Sequence, residues 1–243
     1  MCDQEAQTIR KIIEHSLTFY GVNFPGWSGL VRRTCLFYGL PDPLLYLQNP
    51  WRPDRWRNHC KKIVVGYWEN MFIRTVEDTP TLQYMDTSVA SLTIPMRGWQ
   101  LAGLCSTKVI EATIVNWMIL GVYFTQELLY KMKKVNSPNC LGCGGYMKET
   151  LIHFLLHCKF YDQIRETFLP KLVLLNSKVG ELMDNENYLV LSILDPLSSK
   201  LPEKFTQNWS SATSAYELSR KFCSNMHRKR EKLISEHKNN KPD

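Results

Sequence analysis

Cys140, Cys143, His153 and Cys158 are spaced C-x2-C-x9-H-x4-C. Three thiols and an imidazole at those intervals can close one tetrahedral site, an arrangement that zinc accepts readily. Two residues between the first pair let both sulfurs turn toward one ion, and Gly142, Gly144 and Gly145 allow positive φ in the tight turn this requires. Lys148 to His157 then reads as a short helix. Glu149 falls in its first turn, where a carboxylate suits the helix dipole, and Leu151, Ile152, Leu155 and Leu156 supply apolar surface beside the ion. A residue five places on is rotated well away from its partner on an ideal helix, so Cys158 reaches the ion only where the last turn unwinds or stops. His157, one turn after His153, is a rival fourth ligand.

Three thiolates around a divalent ion leave a net negative centre with every coordination position filled. Such an ion activates no water and draws no phosphate; it holds a fold together. Any nucleic-acid contact must then come from lysines and arginines mounted around it. No activated nucleophile or carboxylate cluster stands out elsewhere. Tyr84-Met85-Asp86-Thr87 faintly resembles the Tyr-x-Asp-Asp of polymerase active sites, but Thr87 cannot replace the second metal-binding carboxylate. Pro41-Asp42 sits more naturally in a turn.

The elements around this segment are helical. Ile9, Ile12, Ile13, Leu17 and Tyr20 give helical spacing over residues 3–20, stopped by Gly21, and a second helix is predicted from Trp27 to Tyr38, ending at Gly39. Pro41-Asp42-Pro43 forms a turn. From Pro53 to about Thr75, Trp56, Cys60, Ile63, Val64, Tyr67, Trp68, Met71 and Phe72 fall on one side, with Arg55, Arg57, Lys61 and Lys62 leaning off the N-terminal half. Aromatics at that spacing read first as core with a solvated basic flank, and second as a base-stacking, phosphate-pairing surface. Residues 76–105 read as loop with short extended pieces, and Ser106 to Leu120 and Gln126 to Lys134 as helices. Asn136-Ser137-Pro138 hinges into the Cys/His segment. Beyond it a helix over Tyr161 to Leu175 breaks at Pro170, one or two helices cover Val179 to Leu194, and Pro196, Pro202 and several serines mark 195–206 as a linker. The last helix runs from about Asn208 to Glu236. Its basic residues Arg220, Lys221, Arg228, Lys229, Arg230 and Lys232 form either a phosphate-contacting arm or a solvated end whose cations complement the dipole.

The chain therefore reads as mainly α: a helical region over 1–135, a small zinc-stabilised knuckle-helix module over 136–175, and a helical tail with a basic end over 176–243. A length of 243 residues with 44% hydrophobic content can bury one sizeable core or two modest ones. A formal charge of +7 favours acidic partners such as RNA or DNA. Five of the eight cysteines (Cys2, Cys35, Cys60, Cys105 and Cys223) are scattered without pairing logic, which points to a reducing, intracellular compartment, cytoplasm or nucleus. Met1 to Arg10 is polar, so no secretory signal is expected, and Ala112 to Gln126 is too short to span a bilayer.

Cys-Leu-Gly-Cys-Gly-Gly followed by Glu149-Thr150-Leu151-Ile152-His153-Phe154-Leu155-Leu156-His157-Cys158 resembles the zinc-binding segment that follows the polymerase in non-LTR (LINE-type) retrotransposon reverse transcriptases. Tyr38 to Leu44, the Trp56 to Trp68 helix, the turn at Ser91-Leu92-Thr93 with Pro95, and Met118 with Gly121 and Tyr123 are similar in kind and order, so the resemblance covers roughly residues 30 to 175. It implies Cys140, Cys143, His153 and Cys158 as ligands of a structural zinc, and a nucleic-acid-binding C-terminal piece that lacks the polymerase core and is no enzyme. A polymerase portion of a related element is an implied partner, alongside RNA or DNA. Val122 stands where relatives place an arginine and Lys159 where a proline is common; the first change favours a scaffold that no longer contacts phosphates.

Overall fold

In a computed structural model of the chain, residues 3–20, 26–88, 97–103, 105–182, 184–207 and 210–239 are described. The Ser91 to Pro95 turn and the helix stop at Gly21 lie outside them. Among the described residues the fold is helical without strands, apart from one isolated antiparallel bridge between Asn139 and Lys148. The mainly α reading holds. No helix among these residues is long and apolar enough to cross a membrane.

The chain divides into two compact units, Met1–Arg74 and Thr75–Asp243. Residues 136–175 and the C-terminal tail therefore share one unit, and the boundaries read at 135 and 175 fall inside it. The first unit contains α1 (Asp3–Tyr20), α2 (Trp27–Tyr38), α3 (Pro43–Gln48) and most of α4 (Pro53–Asp78). Gly39 ends α2 in the left-handed region at φ +68°, its N–H donating to the Leu36 carbonyl at 3.1 Å. Pro41-Asp42-Pro43 does more than stop a helix. Asp42 Oδ1 accepts the Leu44 N–H at 3.0 Å, Pro43 fills the first helical position, and the Asp42 carboxylate pairs with Arg32 at 2.6 Å. The turn starts α3, and the Asp42 carboxylate is fully used in doing so.

The aromatic side of α4 departs from the core reading. Val76 is its one buried residue among those described; Trp56 and Tyr67 are half-buried, and Trp68 and Met71 are exposed. A 74-residue unit has too little interior to cover a stripe this wide, so rings pack edge-on at its surface instead.

The second unit continues with a 3-10 turn (Pro80–Leu82), α5 (Arg97–Ala102), α6 (Ser106–Ile119), α7 (Gln126–Lys131), the Cys/His segment, α8 (Asp162–Leu175), a 3-10 turn (Ser177–Leu182), α9 (Glu186–Leu194), α10 (Glu203–Thr206) and α11 (Ala212–Asn239). Its core forms where α11 packs on α6, α8 and α9, around Met118, Ile193, Phe222 and Met226. α6 ends where Gly121 turns left-handed at φ +65°; a Cβ there would lie 2.2 Å from the Thr81 carbonyl oxygen, so no other residue fits. Neither of the breaks predicted in the C-terminal half occurs. α8 runs through Pro170, because proline forfeits one N–H but keeps a helical φ, and packing of Phe168 on Phe222 and burial of Leu172 hold both sides. The 195–206 segment is no loose linker: Ser198, Leu201 and Phe205 are buried, and the Phe205 carbonyl accepts from Asn176 Nδ2 at 2.7 Å.

Candidate metal centre

The first two cysteines sit in a tight hairpin. The Cys140 N–H donates to the Met147 carbonyl (2.8 Å), the Gly145 N–H to the Cys140 carbonyl (2.9 Å), and the Glu149 N–H to the Pro138 carbonyl (2.9 Å). Gly144 and Gly145 take φ +70° and +86°, as this reversal needs. Gly142 is glycine for a different reason. A Cβ there would lie 2.9 Å from Phe160 Cβ and 3.3 Å from Cys158 Sγ, so it keeps space open rather than supplying positive φ.

The helix that carries His153 starts later than Lys148. Thr150 caps it: its Oγ1 accepts the His153 N–H and its carbonyl accepts the Phe154 N–H, both at 3.0 Å. Over His153–His157 the helix widens into a π turn, and the Cys158 N–H donates to the His153 carbonyl at 2.8 Å before the chain extends at ψ 114°. Five-residue hydrogen bonding brings Cys158 back over His153, which an α turn would not do. The unwinding that the spacing demanded thus takes the form of a π bulge. Arg165 braces this turn: it is buried and donates to the Leu155 carbonyl, to the Cys158 carbonyl, which also accepts the Tyr161 N–H at 3.0 Å, and to Asp162.

Glu149, expected in the first turn of that helix, precedes it and is buried. Both its oxygens face Arg230 of α11 (3.0 and 2.8 Å), and one also accepts the Gln126 N–H at 2.6 Å. The Arg230 guanidinium also lies 5.6 Å from the Tyr123 ring, whose hydroxyl meets His227 Nδ1 at 3.2 Å. Tyr123 stacks on Phe154 at 5.4 Å, and Phe154 meets Tyr161 edge-on at 5.0 Å. The Cys/His segment is therefore fastened to α11 by one buried ion pair and to its own core by a ring stack.

The four candidate ligand atoms lie within 4.8 Å of one another. Cys140 Sγ is 3.5 Å from Cys158 Sγ, and Cys143 Sγ is 3.6 Å from His153 Nε2. A regular tetrahedron built on metal–sulfur bonds of about 2.3 Å and metal–nitrogen bonds of about 2.0 Å has edges of about 3.8 Å and about 3.5 Å, respectively. These two separations are close to those edges, and the Cys140 and Cys158 sulfurs are too far apart for a disulfide. These residues could hold a metal ion. The Sγ–Sγ contact lets the Cys158 thiol ionise more easily while Cys140 holds its proton more firmly. Burial, with His157 nearby, pushes the His153 imidazole toward its neutral, ligating form. His153 Nδ1 is buried and has no hydrogen-bond partner, so Nε2 is the nitrogen aimed at the cluster. His157, the rival ligand, is exposed and faces Glu186 at 2.8 Å, outside the converging set.

The basic residues read from the last helix do not share one environment. Arg230 is buried against Glu149, and Arg220 is buried with Nε and Nη1 lacking acceptors, so neither lies where a solvent-borne phosphate reaches it. Register accounts for Arg230, which falls on the side of α11 that carries Phe222, Cys223 and Met226, whereas Arg220 lies one turn after Tyr216, beside Cys223 at the edge of that side. Lys221 pairs with Glu217 (3.0 Å), Lys232 lies 3.9 Å from Glu236, and Lys229 sits over the Phe160 ring at 4.7 Å. Arg228 is exposed. Asp86, in the polymerase-like tetrapeptide, is a structural acceptor: it takes the N–H and hydroxyl of both Ser88 and Ser199 at 2.7 to 2.9 Å.

Thr150, Arg165 and the Glu149–Arg230 pair are positioning residues that sequence reasoning missed. Asp162, three residues before Arg165, is the one local signal, whereas Glu149 and Arg230 are 81 residues apart. No family model, no curated protein and no solved structure matches this chain.

Proposed function

We propose that Cys140, Cys143, His153 and Cys158 hold one structural zinc ion, and that the chain is a nucleic-acid-binding piece of a LINE-type reverse transcriptase without its polymerase core. The convergence of four soft and borderline ligand atoms within 4.8 Å carries the metal part of this reading. Zinc is preferred because a Cys3His tetrahedron is a common closed set for that ion, and no carboxylate enters it. The ion would complete the coordination of all four side chains and leave no position for substrate. Its role is to fix the hairpin against the π turn. The nucleic-acid part rests on the resemblance of the motif and on the basic residues of the chain. Metal analysis of the purified protein beside Cys143→Ser tests the first part: one zinc per chain is expected in the wild type and none in the variant. Binding of RNA and single-stranded DNA across a salt series tests the second, since phosphate contacts predict affinity falling steeply with salt.

One observation favours a second reading, a zinc-stabilised scaffold with no retained nucleic-acid binding. Arg220 and Arg230 are buried, and Lys221 and Lys232 face glutamates one turn away. Absence of binding at low salt selects that reading.

A further inference from the structure

The cations of α11 are mostly engaged, whereas those that open α4 are not. Between Arg52 and Lys62 the chain carries five cations against a single acid, Asp54. Arg52 lies 3.6 Å from Asp54, and Arg55 lies over the Trp51 ring at 4.7 Å. Arg57, Lys61 and Lys62 are exposed, and none has a carboxylate partner among the described residues. With 3.6 residues per turn, Arg57, Lys61 and Trp68 fall within about 40° of one another around the helix axis, so the basic stripe runs on into an indole. Trp68 is 46% exposed. Its Nε1–H donates to Tyr38 Oη at 3.1 Å, which fixes the ring, and its contacts with Tyr38 and Tyr67 are tilted by 58° and 90°. No aromatic ring of the described residues lies parallel on it.

We propose that the face of α4 marked by Arg57, Lys61 and Trp68 binds single-stranded nucleic acid, with phosphates on the two cations and one base stacked on the indole. This rests on the nucleic-acid part of the reading above, moves the contact from α11 to α4, and is independent of the metal. Arg57 and Lys61 are separated by about 6 Å along the axis and Trp68 lies about 10 Å further on, a run that neighbouring phosphates and the next base of one extended strand can follow. A duplex offers the same phosphates but hides its base faces. An acidic membrane or an acidic protein would match the charge, but an indole held to Tyr38 by its own hydrogen bond offers a fixed ring face for a base to stack on rather than a side chain free to insert.

The test uses the full chain and fluorescence anisotropy of a labelled oligothymidylate, alone and annealed to oligoadenylate, over a salt series. The single strand is expected to bind more tightly than the duplex. The double variant R57Q/K61Q should weaken single-strand binding by about tenfold at low salt and flatten the slope of log affinity against log salt by about 1.4, the value for two lost phosphates on a single strand. Trp68→Ala should also weaken it by about tenfold but leave the slope unchanged, and Trp68→Phe should retain most of the affinity. The phenylalanine variant, with circular dichroism of all three, separates lost stacking from lost folding. If R228Q/K229Q abolishes binding while the α4 variants bind as the wild type does, this inference falls and the nucleic-acid reading stands. If the wild type binds neither oligonucleotide at low salt, both fall. Binding to phosphatidylserine vesicles that the α4 variants lose, with the oligonucleotides ignored, replaces the strand by a membrane surface.

Discussion

α4 and α11 are the two longest helices among the described residues, 26 and 28 residues, and each carries a cluster of cations beside apolar residues. They meet opposite fates. In α11 the apolar side is the core of the second unit, and two of its arginines go under with it, one of them neutralised by Glu149. In α4 one residue is buried among those described, and the cations of its first turns stay in water. The same pattern of residues thus marks an internal strut in one place and an exposed surface in the other. Charge counted along a helix says little about phosphate binding until the side that faces inward is known.

The largest expected effect follows from removing the proposed zinc ion. Structural zinc contributes on the order of 10 kcal/mol of apparent binding free energy that is also folding free energy. Chelation, or Cys158→Ser, should therefore erase hydrogen-exchange protection over residues 138–161 and in the C-terminal half of α11, and leave protection over residues 53–74 of α4. Unchanged protection after chelation would remove the ion from the account. Next comes the buried pair. Glu149→Gln or Arg230→Met should each cost about 3–5 kcal/mol in denaturant unfolding, because each strands a charge or donor in the interior. The double variant E149M/R230M should cost less than either single change. A double variant as damaging as the sum of the two would mean that the pair is not coupled.

A smaller effect concerns pH. Burial by itself would raise the Asp86 carboxyl, but the N–H and hydroxyl donors of Ser199 and Ser88 outweigh it and hold the group below its ordinary range. A depressed carboxyl stabilises the fold above its unfolded pKa of about 4, and that contribution fades as pH falls through the lower, folded value. Asp86→Asn should cost about 1.5–3 kcal/mol at neutral pH, the range for hydrogen bonds to a charged group, and the wild-type and variant curves should converge in acid. Parallel curves would show that the carboxylate charge is not what matters. Smallest of all, Arg57→Gln and Lys61→Gln on α4 should shift stability by no more than about 0.5 kcal/mol, since they remove solvated charges with no carboxylate partner among the described residues. A larger loss would mean that α4 is a strut like α11.

Local signals served well where their partners were close in the chain. Gly39 ends α2, and Gly144 and Gly145 turn the hairpin with positive φ, because backbone sterics act within a few residues. The four candidate ligand positions were legible for the same reason: the hairpin and one turn of helix bring them together. The π turn was legible only as a requirement, since His153 and Cys158 are one residue too far apart for an α-helix. Asp86 and Ser199, 113 residues apart, were not legible, and neither was the burial of 195–206, whose prolines and serines look like a solvated connection. The aromatic side of α4 misled in the other direction. Periodicity reports that a stripe exists but not whether enough protein lies over it.

Residue order therefore fixed the helical character of this protein, its turn positions and the meeting of three sulfurs with one imidazole, because each depends on steric rules that reach only a few residues. Which arginines are withdrawn from solvent and which face it was decided by packing between distant helices: Arg230 goes inside against the carboxylate of Glu149, 81 residues away, and Arg220 is covered by the core of the second unit although Nε and Nη1 find no acceptor. Glu149 waits for Arg230; among the described residues no carboxylate waits for Arg57.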